Sequence, residues 1–99
     1  MPNRLITMSN YLITYEPAED CNYEMLVDAI KSISDGYVHP LKSVWIIGHS
    51  GKASDIADAL VPFINSQDKL FVTLVSSDTA WTKSLNEDSK AWMRKYIWL

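Results

Sequence analysis

Apolar and polar positions alternate along this chain with two different periods, and the change of period marks out the elements. Tyr11-Leu12-Ile13-Thr14-Tyr15 is a β-branched and aromatic run that stops at Glu16-Pro17, where proline lacks the amide that a central ladder needs. Tyr23, Leu26, Val27, Ile30 and Ile33 then recur at helical spacing, with Asn22 placed to cap the helix and Ser34-Asp35-Gly36 to end it. Gly36 to His39 and Ser43 to Gly48 are β-rich runs around Pro40-Leu41-Lys42, a connection too short for a crossover helix, so the two must be antiparallel. Ile56, Ala57, Leu60, Val61 and Ile64 repeat the helical stripe, and Asn65-Ser66-Gln67-Asp68 turns the chain into a last strand at Leu70 to Val75.

The predicted order is therefore β-α-β-β-α-β. It matches the ferredoxin-like α+β arrangement, an antiparallel sheet in the order 4-1-3-2 with both helices on one face. Residues 9–76 would form this core. Residues 77–99 would form a C-terminal extension in which Trp92, Met93, Tyr96 and Ile97 mark one side of a helix between Asn86 and Trp98. A sheet with helices on one face only leaves apolar surface on the other, so the extension or a second subunit is expected to cover it, with a homodimer the simplest arrangement. Met1 to Thr7 precede the regular pattern, which begins at Met8.

Ninety-nine residues suit one domain with one core, and 47% hydrophobic against 21% charged residues excludes a disordered or fibrous chain. The lone Cys21 rules out an internal disulfide or a cysteine metal site, which with the absence of a signal-like start fits the cytoplasm. No apolar run approaches the roughly 20 residues of a membrane span. A formal charge of −3 gives no general attraction for nucleic acid, leaving only local basic patches at Lys42, Lys52, Lys69 or Lys83 to Lys95.

Gly48-His49-Ser50-Gly51-Lys52 follows a strand as a nucleophile elbow would, but Lys52 stands where that pattern requires glycine. A phosphate-binding loop fails too, because Ile46 occupies its first glycine and Ala53 its hydroxyl position. The stretch reads instead as a turn made by Gly48 and Gly51, with Ser50 or a neighbouring backbone group starting the second helix. A triad of His49, Ser50 and Asp78 is not specified by any spacing. Glu16, Glu19 and Asp20 gather where the first strand ends; such carboxylates either hold a divalent cation or form a solvated acidic turn that favours the following helix N-terminus. In a 4-1-3-2 sheet His49 lies at the opposite rim from Glu16, whose expected neighbours are His39, Lys42 and Lys69, basic groups suited to a phosphate. Tyr11, Tyr15, Tyr37 and Trp45 would stack bases if they lay on an open sheet face, and would be core residues otherwise.

Asn10 to Glu16, Ala29-Ile30-Lys31-Ser32, Ser43 to Ile47, Asp68 to Val72, and Ala80-Trp81 followed by the Trp92 helix together resemble the SinR-like family. That family lies in the wider superfamily of the CRISPR-associated ferredoxin-like subunit that partners the spacer integrase and of virulence-associated protein D. The resemblance implies a homodimer in which the acids closing the two first strands share a magnesium or manganese ion, here Glu16 as metal ligand and catalytic residue. It implies an endonuclease or endoribonuclease acting on DNA or RNA, with the metal polarising a phosphodiester and activating water. The superfamily pattern has aspartate at this position; Glu16 is one methylene longer and precedes the rigid Pro17. Other members of the superfamily act as scaffolds or nucleic-acid binders without chemistry, the alternative function. A small-ligand sensor has only the generic support of the fold.

Overall fold

The computed structural model describes residues 8–18 and 22–98. Its elements are β1 (Ser9–Glu16), α1 (Tyr23–Ile33), β2 (Tyr37–Leu41), β3 (Val44–His49), α2 (Ala53–Leu60), β4 (Lys69–Val75) and α3 (Glu87–Tyr96), with a short 3-10 turn at Val61–Phe63 between α2 and β4. This is an α+β protein with one open, fully antiparallel four-stranded sheet in the order β2-β3-β1-β4. Met1 to Thr7, Glu19, Asp20 and Cys21 lie outside the described residues. Among the described residues no helix is long and apolar enough to cross a membrane.

Local chemistry sets the element ends. The Asn22 side chain accepts the Met25 N–H at 3.1 Å and starts α1, whose first turn carries Glu24 and last turn Lys31, both favourable to the helix dipole. Gly36, at φ 86°, takes the left-handed backbone that returns the chain into the sheet. β2 continues through Pro40 to Leu41, two residues beyond the expected His39, and the hairpin turn is Lys42-Ser43. An edge strand tolerates Pro40 because one side of it makes no ladder bonds, and the β2–β3 register shifts between Val38 and Leu41. The expected apolar stripe of α2 breaks at Leu60, where Pro62 tightens the chain into the 3-10 turn.

Each face of the sheet carries a buried cluster, and the period-two alternation assigns each side chain to one of them. Tyr11, Ile13, Tyr15, Trp45 and Ile47 pack beneath Leu26, Ala29 and Ile30 of α1 and Ile56 and Leu60 of α2. Of the two readings of the aromatics, core residue holds for Tyr11, Tyr15 and Trp45, which are buried under the helices; Tyr37 alone is exposed, tilted against Trp45. On the other face Val38 and Ile46 pack with Met93 and Ile97 of α3, flanked by Leu12, Val75, Trp81, Leu85 and Trp92. The segment after β4 is pinned there by one further contact and tied to itself by two. Asn10 Nδ2 of β1 donates to the Tyr96 carbonyl at 2.8 Å; within the segment Trp98 Nε1 donates to the Thr79 carbonyl at 2.8 Å, and Trp81 stacks on Trp98 with centroids 4.2 Å apart. The chain itself therefore supplies cover for the second face, over its β2 and β3 side.

Candidate functional site

Glu16 closes β1 because Pro17 cannot extend the ladder, and the register sets it directly across from Lys69, the first residue of β4. The Lys69 ammonium sits 3.2 Å from Glu16 Oε1, with the two side chains 78% and 76% exposed. An ion pair so open to water contributes about 0–1 kcal/mol. Beneath it Asp68 ties the rim together: its Oδ1 accepts the Ala18 N–H and its Oδ2 accepts the Asn65 N–H at 2.8 Å. Thr14, Tyr15, Pro17, Ser43, Leu70 and Phe71 complete a shallow depression of about 590 Å³ around the pair.

Of the three basic neighbours expected beside Glu16, only Lys69 is there. His39 stacks on Trp45 at 4.1 Å between centroids, and its Nε2 is hydrogen-bonded to the Lys42 carbonyl at 2.9 Å. Neither His39 nor Lys42 lines the depression; β1 and β3 separate β2 from the β4 side of the rim. Glu19 and Asp20, the other two acids of the expected cluster, lie outside the described residues. Among the described residues no group of three or more histidine, cysteine or acidic side chains is close enough to hold a metal.

The donor chemistry of the rim can be set against a divalent cation. Magnesium needs a near-octahedral oxygen shell and usually takes one or two carboxylates. One described chain offers Glu16, already held by an ammonium, while both Asp68 oxygens accept backbone amides that fix the turn. A cation here would have to displace Lys69 and draw a second carboxylate from elsewhere. The described rim of a single chain thus does not fit the metal.

The opposite rim is a turn. Ser9 pairs with His49 at the far end of β1 from Glu16. His49 Nδ1 accepts the Gly51 N–H at 2.9 Å, the Tyr11 hydroxyl donates to the Gly51 carbonyl at 2.7 Å, and Asp55 accepts the Lys52 N–H at 2.8 Å. A Cβ on Gly51 would stand 2.8 Å from Asp55 Oδ2, so any larger residue there would have to push that carboxylate aside. The N-cap of α2 is Lys52, two residues beyond Ser50, with Asp55 reaching back to its amide. His49 is thus bonded to the turn's own backbone, and the Asp78 amide is bonded to Ser76 Oγ.

Sequence reasoning missed Asp68 as the clasp between the β1 and β4 ends; its cue was an aspartate three residues after Asn65, the spacing of a side chain that folds back onto its own turn. It also missed the exposed apolar side chains of the sheet edges. Phe71, which lines the depression, and Leu74, on the other face of β4, are 63% and 60% exposed, and Leu41 stands exposed at the end of β2. The class defined by these features is a small α+β protein with one exposed acid–base pair and an apolar sheet edge. Compared with known proteins, the chain matches no family model, no curated protein and no solved structure.

Proposed function

We propose that this chain is a ferredoxin-like assembly module, a non-catalytic scaffold of the SinR-like kind that works by binding rather than by bond cleavage. The observation that carries this reading is that the two described carboxylates of the rim, Glu16 and Asp68, already have structural partners. Glu16 is met by Lys69 and Asp68 by two backbone amides, while the exposed Phe71 stands alongside on β4. A site built for hydrolysis holds its ligands ready for the cation; a surface built for docking exposes apolar side chains next to polar ones.

The second reading is metal-dependent cleavage of RNA or DNA phosphodiesters with Glu16 as ligand. It is favoured by the position of that acid at the end of β1 and by Lys69, an ammonium able to meet a phosphate. Purified protein incubated with labelled RNA and DNA, with magnesium, manganese or chelator, separates the two. The scaffold reading expects no cleavage in any mixture and no manganese binding by calorimetry. Metal-dependent cleavage that disappears in Glu16→Gln would replace it with the nuclease reading.

A further inference from the structure

We propose that the groove between the C-terminal extension and the second sheet face binds a single-chain carboxylate of about ten carbons, its chain in the groove and its head among the lysines at the mouth. The groove shares no lining residue with the Glu16 depression, so the proposal goes beyond the assembly reading and does not rest on it.

The groove forms where the extension meets the face away from α1 and α2. Strand pairing sets Leu12 of β1 beside Ile46 of β3, and these with Val44 form its floor. Pro40 and Leu41 at the end of β2, the segment from Thr79 to Thr82, and Leu85 and Met93 complete the lining. The Thr79–Thr82 segment is held in place by Trp98, whose Nε1 donates to the Thr79 carbonyl at 2.8 Å and whose ring stacks on Trp81. The groove is therefore already formed before any ligand arrives, as ligand sites usually are.

Its interior suits hydrocarbon. No charged side chain lines it, and its two hydroxyls have partners: Thr79 Oγ1 donates to the Ser76 carbonyl at 2.6 Å, and Thr82 Oγ1 lies 3.5 Å from Ser84 Oγ. Leu41 remains 58% exposed in this lining, apolar surface that the chain leaves uncovered. A dry apolar cavity of about 150 Å³ takes benzene, about 25 Å³ per carbon, so the groove of about 250 Å³ takes about ten carbons. That volume suits one small molecule rather than a helix, whose diameter with side chains is about 10–12 Å.

Charge selects the head. Lys42 follows Leu41 and Lys83 follows Thr82 in sequence, and flexible four-carbon stems let both ammoniums reach the mouth. Among the described residues neither is in an ion pair, whereas Lys69 and Lys90 are matched by Glu16 and Glu87. Only one acid, Asp78, adjoins a lining residue in sequence, so positive charge prevails around this groove in a chain of net charge −3. A carboxylate head is thus favoured over a cationic one.

The test is isothermal titration calorimetry of the full chain with hexanoate, octanoate, decanoate, dodecanoate and octanol. One saturable site is expected, tightening about threefold to fourfold per added carbon up to decanoate and no further at dodecanoate. Octanoate should bind about fivefold more tightly than octanol, the size of one exposed ion pair. Val44→Trp, which fills the floor, should weaken decanoate at least about tenfold, with far-UV circular dichroism as the check of folding. Lys42→Gln combined with Lys83→Gln, both at exposed positions, should bring octanoate to the level of octanol and leave octanol unchanged. The proposal is overturned by the absence of saturable binding, by an affinity that keeps rising through dodecanoate, by equal binding of octanoate and octanol, or by binding indifferent to Val44→Trp in folded protein.

Discussion

Met93 tests whether the C-terminal helix belongs to the same cooperative unit as the sheet. Its side chain is 2% exposed and joins Val38, Ile46 and Ile97 on the face away from α1 and α2. Met93→Ala removes three heavy atoms beyond Cβ, a transfer loss of about 2 kcal/mol at roughly 0.8 kcal/mol per methylene-sized group. A cavity contribution adds to this, and buried Met→Ala changes span about 2–5 kcal/mol. Met93 borders a groove of about 250 Å³ lined also by Leu12, Ile46, Trp81 and Leu85, so its surroundings can close in or admit solvent. The expected cost is therefore at the low end, about 2–3 kcal/mol. With a urea slope near ~1 kcal/mol per molar for a chain of this size, the midpoint should fall by about 2 M. Three of the four tryptophans, Trp81, Trp92 and Trp98, weight the fluorescence towards the tail, the fourth being Trp45 under α1 and α2, while far-UV circular dichroism reports on all elements; the two transitions should coincide in wild type and variant. A midpoint shift below about 0.5 M, or a fluorescence transition that moves alone, would refute the claim that the tail is part of the fold.

Three further expectations follow from single contacts. Gly51→Ala drives a Cβ to 2.8 Å from Asp55 Oδ2 and 3.0 Å from His49 Cε1, and should cost about 1–2 kcal/mol in urea unfolding, because Asp55 can yield only by loosening its bond to the Lys52 amide. Asn22→Ala removes the α1 cap and should cost about 1 kcal/mol, read in the same assay and absent when the substitution is Asn22→Asp. Glu87 is held below its ordinary 4.5 by the hydrogen bond from Lys90 and then by the charge of that ammonium. Because the folded pKa is the lower one, the small stabilisation is complete above the unfolded value and is lost as pH falls through the folded value. Carboxyl titration by NMR should show Glu87 returning towards 4.5 in Lys90→Met.

The elements were legible wherever period and punctuation agreed. β1 and β4 were found because β-branched and aromatic residues run between a proline, a polar turn and each other, and α1 because Asn22 and Gly36 bracket a clean stripe. The hairpin was misplaced at Pro40 because proline reads as a breaker in a central strand, and only the position of β2 at an edge lets it stay in one. The aromatics show the limit of periodicity: alternation says that Tyr11, Tyr15 and Trp45 share faces, but not which face the helices cover. At the rim, pairing of Glu16 with Lys69 followed from strand order, whereas the removal of His39 by stacking on Trp45 depends on side-chain packing that no spacing encodes.

A cation shared between two copies would need both Glu16 carboxylates within a few ångströms, and so both β1 ends at one place. Two copies laid antiparallel along their β4 edges about Val72 would do the reverse: Glu16 lies beside Lys69, and the two Lys69 positions would be six residues apart along the strand direction. At about 3.4 Å per residue and about 4.8 Å between strands, the two Glu16 backbones would stand roughly 25 Å apart. No side chain spans that gap, so such a pair would leave each acid with its own Lys69 and would exclude the metal site that the resemblance implies.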